Sequence, residues 1–285
     1  MVKFYLFFWF IFSGIFLLAQ DSSAFYQKLA EQHYQAEEYE KAMASYEKAM
    51  AKSPDNFTII KGLGDSKHKL DLFKEAIDLY DQAEKINDQD AELYFNRGAA
   101  KVFIDEFKSA IKDFDQSIKL RPTFPDVYYY RGFSNGSLNR FQAAITDYSK
   151  AIELNPDYAE AYYNRGAAKA ELEFYDAGLN DFNTALDKDP KLENGQINLA
   201  LSNLGLKKYQ EAIEGFTNVI ELRDENLARA FFYRGEAYYE IDDKSKACAD
   251  WKKAAALNLE QAEANVSDFC GDKAKPKKRE IEIIF

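Results

Sequence analysis

Residues 94–101 read YFNRGAAK and residues 162–169 read YYNRGAAK, so two stretches 68 residues apart are identical except at their second position. The glycine of this motif recurs at 34-residue steps, at Gly64, Gly98, Gly132 and Gly166. A small-residue series keeps the same step until its last member, which follows after 35 residues: Ala42, Ala76, Ala110, Ala144, Gly178, Ala212 and Ala247. A proline series is spaced by multiples of 34: Pro54, Pro122, Pro156 and Pro190. Three series that agree on one period predict a chain built from structural repeats.

With this period and these motifs, the chain resembles the tetratricopeptide repeat family over residues 23–261. The resemblance implies seven helix–turn–helix repeats, which begin near residues 23, 57, 91, 125, 159, 193 and 228. It also implies an all-α fold, in which the repeats stack into a right-handed solenoid with a concave groove. Glycine or alanine at the eighth position of a repeat would let its two helices approach closely. Aromatic residues at the fourth and twenty-fourth positions would fill the space between repeats.

The composition limits the kinds of function. The 285 residues carry a formal net charge of −11, which argues against a nucleic-acid partner. Two histidines and two cysteines are too few for most zinc sites. The sequence also lacks the common motifs for nucleotide binding, zinc proteases, serine hydrolases and dithiol redox chemistry. We therefore expect no catalytic residues, no metal and no cofactor.

The N-terminus predicts export. Residues 1–19 combine Lys3 with an apolar stretch from Phe4 to Leu18, which is the layout of a removable signal peptide. The stretch is shorter than the ~20 residues that span a bilayer, so we expect no membrane span after cleavage. An uncleaved N-terminal anchor is the alternative. The expected location is the periplasm or cell envelope of a Gram-negative-type bacterium, or outside the cell.

Two charged residues occur together in four of the seven repeats. The arginine at position seven and the aspartate at position twenty-three are both present or both absent in every repeat. The pairs are Arg97 with Asp113, Arg131 with Asp147, Arg165 with Asp181, and Arg234 with Asp250. Pairing between repeats would leave Asp181 and Arg234 facing uncharged residues, so we predict pairs within a repeat, where an arginine fork can bind a carboxylate with two hydrogen bonds. A row of arginines that binds an anion is the alternative.

The resemblance also indicates which residues would line the groove. In the tetratricopeptide repeat family the concave face is formed mainly by positions two, five, nine and twelve of the first helix. In repeats three to five these positions would supply an aromatic row and an acidic rim: Phe95, Tyr129, Phe133 and Tyr163, with Glu92, Asp126 and Glu160. This set departs from the lysine- and asparagine-rich clamp that holds acidic C-termini in one subgroup. It would prefer an extended peptide with basic and apolar residues. The alternative is that the aromatic row only packs across the superhelix axis.

The C-terminal residues predict a cap and a tail. Residues 262–271 would form a capping helix antiparallel to the last helix of the array, which brings Cys270 to the level of Cys248. We predict a disulfide between them, because exported chains meet an oxidising compartment. Two free thiols or a metal pair are the alternatives. Residues 272–285 are basic and then apolar, and they would occupy the chain's own groove, pair with a partner's sheet edge or be disordered.

Together these features predict an exported adaptor that binds a protein or peptide partner in its groove. A rod that self-associates through its tail or groove is an alternative from a different class. An enzyme or small-ligand receptor with an unrecognised site is a third. The sequence does not identify the partner, and a fold does not settle a function.

Overall fold

A computed structural model describes residues 22–192, 194–222 and 226–271. Over this part of the chain the backbone forms fifteen helices and no strand. The expected all-α solenoid of tetratricopeptide-type helix pairs is confirmed, because consecutive helices pack on one another from Ser23 to Leu120 and again from Phe141 to Phe269. The predicted signal peptide at residues 1–19 and the tail at residues 272–285 lie outside the described residues.

The helices fall into two compact halves, which divide between Ser134 and Asn135. The N-terminal half contains α1 (Ser23–Gln35), α2 (Tyr39–Lys52), α3 (Phe57–Lys69), α4 (Phe73–Glu84), α5 (Ala91–Val102), α6 (Phe107–Leu120) and the first part of α7 (Pro125–Ser137). The C-terminal half contains the end of α7, α8 (Phe141–Leu154), α9 (Ala159–Glu171), α10 (Tyr175–Lys188), α11 (Gly195–Gly205), α12 (Tyr209–Glu221), α13 (Leu227–Glu240), α14 (Lys244–Ala256) and α15 (Glu260–Phe269).

Side-chain caps start the first helices of the first three repeats. Ser22, Asn56 and Asp90 precede α1, α3 and α5 at 34-residue intervals. Each side-chain oxygen accepts a hydrogen bond from the backbone N–H three residues later, at 2.7–3.2 Å. Such a cap satisfies one of the N–H groups that a helix leaves unpaired at its start. The caps therefore fix where these helices begin.

A left-handed residue turns the chain between the two helices of every repeat. It stands at position fifteen in each case, with φ between 57° and 63°. The residues are Glu37, Asp71, Asp105, Asn139, Glu173, Lys207 and Asp242. None of them is glycine, although a left-handed conformation costs most L-residues roughly 1 kcal/mol. The tight turn thus depends on the packing of the helices that it joins.

The glycine at position eight lies against the aromatic residue at position twenty-four of the same repeat. A Cβ added to Gly98 would come within 2.6 Å of the Phe114 ring, and one added to Gly235 within 2.7 Å of the Trp251 ring. Both rings are fully buried. The missing side chain lets the two helices of a repeat approach until the ring fills the space between them. We expected these aromatic residues to lie between repeats. In the structure the rings also fill the space between the two helices of their own repeat.

Replacing Gly98 by alanine should lower the free energy of unfolding by roughly 1–3 kcal/mol, because the buried Phe114 ring must shift. Gly136 provides a matched control in a helix, since its added Cβ would meet only the Tyr148 hydroxyl, at 3.9 Å. There the change to alanine should stabilise the protein by up to about 1 kcal/mol through helix propensity. Urea titrations of both variants measure the difference. Equal effects at the two positions would contradict the close helix approach.

A disulfide holds the last helix in place. Cys248 of α14 and Cys270, which follows α15, are joined with their Cα atoms 5.6 Å apart. Phe269 packs on Trp251, with ring centroids 6.0 Å apart, and Asn265 donates a buried 2.7 Å hydrogen bond to Glu236. A link across 22 residues would stabilise the fold by about 3 kcal/mol in the chain-entropy model. The helix that ends the array is therefore fixed by covalent, aromatic and polar contacts.

Candidate functional site

Three of the four arginines at position seven bind the aspartate at position twenty-three within their own repeat. Arg97 donates through Nε and Nη2 to the two carboxylate oxygens of Asp113, at 3.0 and 2.7 Å. Arg165 with Asp181 and Arg234 with Asp250 have the same two-bond geometry, at 2.7–3.0 Å. The three aspartates are buried. These arginines therefore hold structural carboxylates between the helices of a repeat.

Each arginine also reaches back to the preceding repeat, a contact that the sequence analysis did not predict. Nη1 of Arg97 lies 2.7 Å from Asp81, and Nη1 of Arg165 lies 3.1 Å from the Ser149 hydroxyl. Arg234 contacts Thr217 at 2.9 Å in the same way. The partner always stands at position twenty-five. One guanidinium therefore joins the two helices of its own repeat to the second helix of the repeat before it.

The two members of the remaining predicted pair belong to different halves. Arg131 lies in the N-terminal half, where its Nη1 is 2.6 Å from Asp115 at position twenty-five. Asp147 lies in the C-terminal half and accepts a hydrogen bond from Asn135 at 3.1 Å. The pairing of Arg131 with Asp147 stays a prediction.

The surroundings of Arg97 shift its pKa. Burial disfavours the charged guanidinium, but the hydrogen bonds to Asp113 and Glu84 outweigh the effect of burial and raise the pKa of Arg97.

The change Arg165→Leu should destabilise the protein more than Arg165→Leu combined with Asp181→Leu. The single change leaves a buried carboxylate with Lys169 as its remaining cationic partner, at a cost of about 2–3 kcal/mol. The double change removes that carboxylate. Thermal and urea unfolding of both variants measure the two costs. A double variant that is as unstable as the single one, or less stable, would contradict the pairing.

The predicted aromatic row is half-buried where it lies in the N-terminal half. Phe95 contacts Phe124 and Tyr130 edge-on, with ring centroids 4.8 and 5.6 Å apart. Tyr129 packs edge-on against Tyr130, and Phe133 lies 6.3 Å from the Phe107 ring. These rings combine packing with partial exposure. They can therefore both support the repeats and offer an aromatic surface.

The fourth member of the row, Tyr163, is different. It is only 7% exposed, and its ring packs 5.6 Å from Phe182 in the core of the C-terminal half. Its hydroxyl accepts a 2.8 Å hydrogen bond from Asn198. Tyr163 therefore packs in the core and does not offer an exposed ring.

The predicted acids differ in their surroundings. Glu92 is exposed and forms a 2.8 Å ion pair with Lys61 of the preceding repeat. Asp126 is half-buried in the first turn of α7, where a negative charge favours the helix start. Glu160 is exposed in the first turn of α9, in the C-terminal half. The rim is therefore acidic, and one of its carboxylates already holds an internal cation.

A cleft of about 320 Å³ opens in the N-terminal half beside Phe95. One of its two lining carboxylates is Asp65, at position nine of the second repeat, whose side chain is 17% exposed. Asp65 Oδ1 accepts hydrogen bonds from the Tyr80 hydroxyl and from Asn96 Nδ2, each 2.8 Å long. The nearest cation, Lys61 Nζ, lies 3.9 Å from Oδ2. Two donors therefore orient the carboxylate through one oxygen.

Aromatic side chains form the walls of this cleft. Tyr34, Phe95 and Tyr130 line it together with His68. At its edge Phe73 and Phe103 are stacked with ring centroids 4.6 Å apart, and Phe103 is 57% exposed. Of the residues that line the cleft, only Phe95 was predicted from the sequence as a site residue. The missed signal was Asp65, a carboxylate at one of the groove-lining positions.

Burial shifts the titration of the polar groups in the cleft. It raises the pKa of the Asp65 carboxyl, against the opposing effects of Lys61, Tyr80 and Asn96. It also raises the pKa of Tyr34, to which the charges of Asp65 and Glu92 contribute. For His68, burial lowers the pKa to about 4. At neutral pH the imidazole is therefore uncharged, and the acidic and basic side chains that line the cleft are Asp65, Asp71 and Lys69.

The depressed pKa of His68 predicts a loss of stability in acid. Between pH 6.5 and about 4 the unfolded chain binds a proton at this histidine that the folded chain excludes. The free energy of unfolding should therefore fall as the pH drops through this window, by up to about 3 kcal/mol. His68→Gln should remove this part of the pH dependence in urea titrations, while His33→Gln should leave it in place. An unchanged pH profile for His68→Gln would contradict the assignment.

Within the described ranges, no group of three histidine, cysteine, aspartate or glutamate side chains could hold a metal ion. None of the helices in this part of the chain is long and apolar enough to cross a membrane.

Four repeat models match the sequence. One described as TPR repeat matches residues 136–173, and three described as tetratricopeptide repeat match residues 33–96, 91–124 and 229–257. No curated protein gives a significant sequence match.

Solved structures share the fold. A crystal structure of MamA protein matches with 26% identity and a TM-score of 0.55, over 59% of this chain and 92% of that one. YrrB, described as a TPR protein with an unusual peptide-binding site, matches with 21% identity and a TM-score of 0.57, over 69% and 97%. A tetratricopeptide repeat protein from Parabacteroides merdae ATCC 43184 matches with 20% identity and a TM-score of 0.60, over 85% and 97%. At these identities the last two matches bear on the fold alone.

Proposed function

We propose that this chain, which belongs to the tetratricopeptide repeat family, binds an extended peptide of basic and apolar composition. The fold of this family is typical of non-enzymatic protein-interaction scaffolds. The observation that carries the proposal is the set of half-buried rings Phe95, Tyr129 and Phe133, with Glu92 and Asp126 in the first turns of the helices that carry them. The cleft beside Phe95 adds a recess of about 320 Å³ to this surface.

The chemistry of this surface selects the kind of peptide. Aromatic rings bind apolar side chains, and they also attract cations through their faces. Carboxylates on the rim attract lysine and arginine and repel acidic segments. An extended peptide can present such side chains alternately while its own backbone remains accessible. The partner is therefore a protein segment rich in basic and apolar residues.

We further propose that the scaffold works outside the cytoplasm, in the cell envelope or periplasm. The proposal rests on the composition of residues 1–19, and the Cys248–Cys270 disulfide supports it, because such bonds persist in oxidising compartments. Cell fractionation followed by N-terminal sequencing tests it. A mature chain that begins near Gln20 in the envelope or periplasmic fraction is expected. Full-length protein that remains in the cytoplasm with reduced thiols would contradict it.

Neutralising the acidic rim should weaken peptide binding. The probe is a fluorescein-labelled twelve-residue peptide that alternates lysine with leucine and phenylalanine, together with its glutamate counterpart. We expect the full chain to bind only the lysine peptide. Glu92→Gln combined with Asp126→Asn should weaken that binding by roughly fivefold or more in fluorescence anisotropy, since each exposed pair contributes up to about 1 kcal/mol.

A matched control carries Glu47→Gln and Asp78→Asn, which remove the same charge from exposed sites on second helices of the same half. The control should bind like the wild-type chain, and circular dichroism should show equal helix content in all three proteins. Equal losses in both double variants would assign the effect to net charge. Equal binding of both peptides would contradict the proposed function.

A further inference from the structure

We propose that the Asp65 cleft is a subsite that receives one lysine or arginine side chain of the bound peptide. The cationic end would contact Asp65 Oδ2, and the aliphatic stem would lie along the aromatic walls. This inference rests on the proposed function and deepens it, because it names the residue that selects the ligand. Asp65 was not among the site residues predicted from the sequence.

The unused acceptor of Asp65 is the first observation. Oδ1 is bound by Tyr80 and Asn96, whereas Oδ2 has no hydrogen bond within the described chain. Lys61 Nζ lies 3.9 Å away, which is beyond hydrogen-bond length, and is engaged by Glu92 at 2.8 Å. The carboxylate is thus oriented by one oxygen and keeps the other for a further donor. A ligand cation would find it already positioned.

The shape of the cleft is the second observation. Its volume of about 320 Å³ is at the lower end of ligand pockets, which span ~300–1,000 Å³, so it suits a single long side chain. Tyr34 and Phe95 stand on its walls, and Tyr130 packs 5.6 Å from Phe95. Lysine and arginine bury their aliphatic stems against apolar surfaces and place their charge at a polar group. The walls and the carboxylate match these two parts.

The charge balance is the third observation. Asp65 and Asp71 oppose the exposed Lys69 among the lining residues, while burial keeps His68 neutral at physiological pH. The lining therefore carries an excess of negative charge. An acidic side chain would be repelled by Asp65, and a neutral one would leave it with only Lys61 Nζ, 3.9 Å away, as a cationic neighbour. A cation is the ligand that satisfies the site.

A double-mutant cycle between protein and peptide tests the subsite. The probe is a labelled peptide of leucine, phenylalanine and serine residues with one central lysine, and its partner has glutamine at that position. Both are titrated against the wild-type full chain and against Asp65→Asn, whose amide oxygen can still accept from Tyr80 and Asn96. We expect the lysine peptide to bind wild type at least tenfold more tightly than it binds the variant. The glutamine peptide should bind both proteins equally.

Asp71→Asn is the matched control. It removes one carboxylate from the lining of the same cleft, and asparagine tolerates the left-handed backbone at this position. This variant should lose less than threefold. Losses equal to those of Asp65→Asn would mean general electrostatic attraction and would overturn the subsite.

Thermal unfolding separates binding from folding. Burial of its charge opposes stability at Asp65, so Asp65→Asn should melt at the wild-type temperature or above it. Lysine-peptide binding without coupling to Asp65 would overturn the subsite and leave the proposed function standing. A wild-type chain that binds neither this peptide nor the alternating lysine peptide would overturn both.

Discussion

The close approach of two helices at the eighth position of each repeat is the contact on which the array depends. Gly98 leaves room for the Phe114 ring, and Gly64 does the same for Tyr80. Because the ring is fully buried against the glycine, it fixes the distance between the two helices of these repeats. The next repeat can then pack on the last one without adjustment, which is how a repeat array builds one core from units that are unstable alone.

The helical repeat and three of the four charge pairs were readable from the sequence because each of them recurs. The left-handed residues were not, because Glu37, Lys207 and Asp242 share a conformation but no side-chain chemistry. The second partner of each arginine was also hidden, since position twenty-five holds Asp81 in one repeat and Ser149 in another. Positions fifteen and twenty-five have the same geometry in successive repeats but hold different residue types, so they leave no periodic signal in the sequence.

The candidate site shows the same limit more strongly. Phe95 was predictable from a groove-lining position, but Tyr163 occupies the equivalent position and is buried. Asp65 also stands at a groove-lining position, yet its significance depends on Tyr80 and Asn96, which come from the second helix of its own repeat and the first helix of the next one. A site assembled from three helices in two repeats appears only when the stack is built. Burial of the Asp65 carboxylate lowers the stability of the fold, as is often found for groups that serve binding.

The disulfide at the C-terminal end has a mechanical consequence. Any pull on the chain beyond Gly271 enters the fold at Cys270, whose sulfur is bonded to Cys248 in the preceding helix. The terminal helix α15 is enclosed in that covalent loop and cannot peel away first. The load passes directly to α14 and from there to the rings of Trp251 and Tyr239, which are packed 5.5 Å apart. A force applied through the tail would therefore have to unfold the last repeat before the chain extends. After reduction of the disulfide, the same force would unfold the terminal helices one at a time.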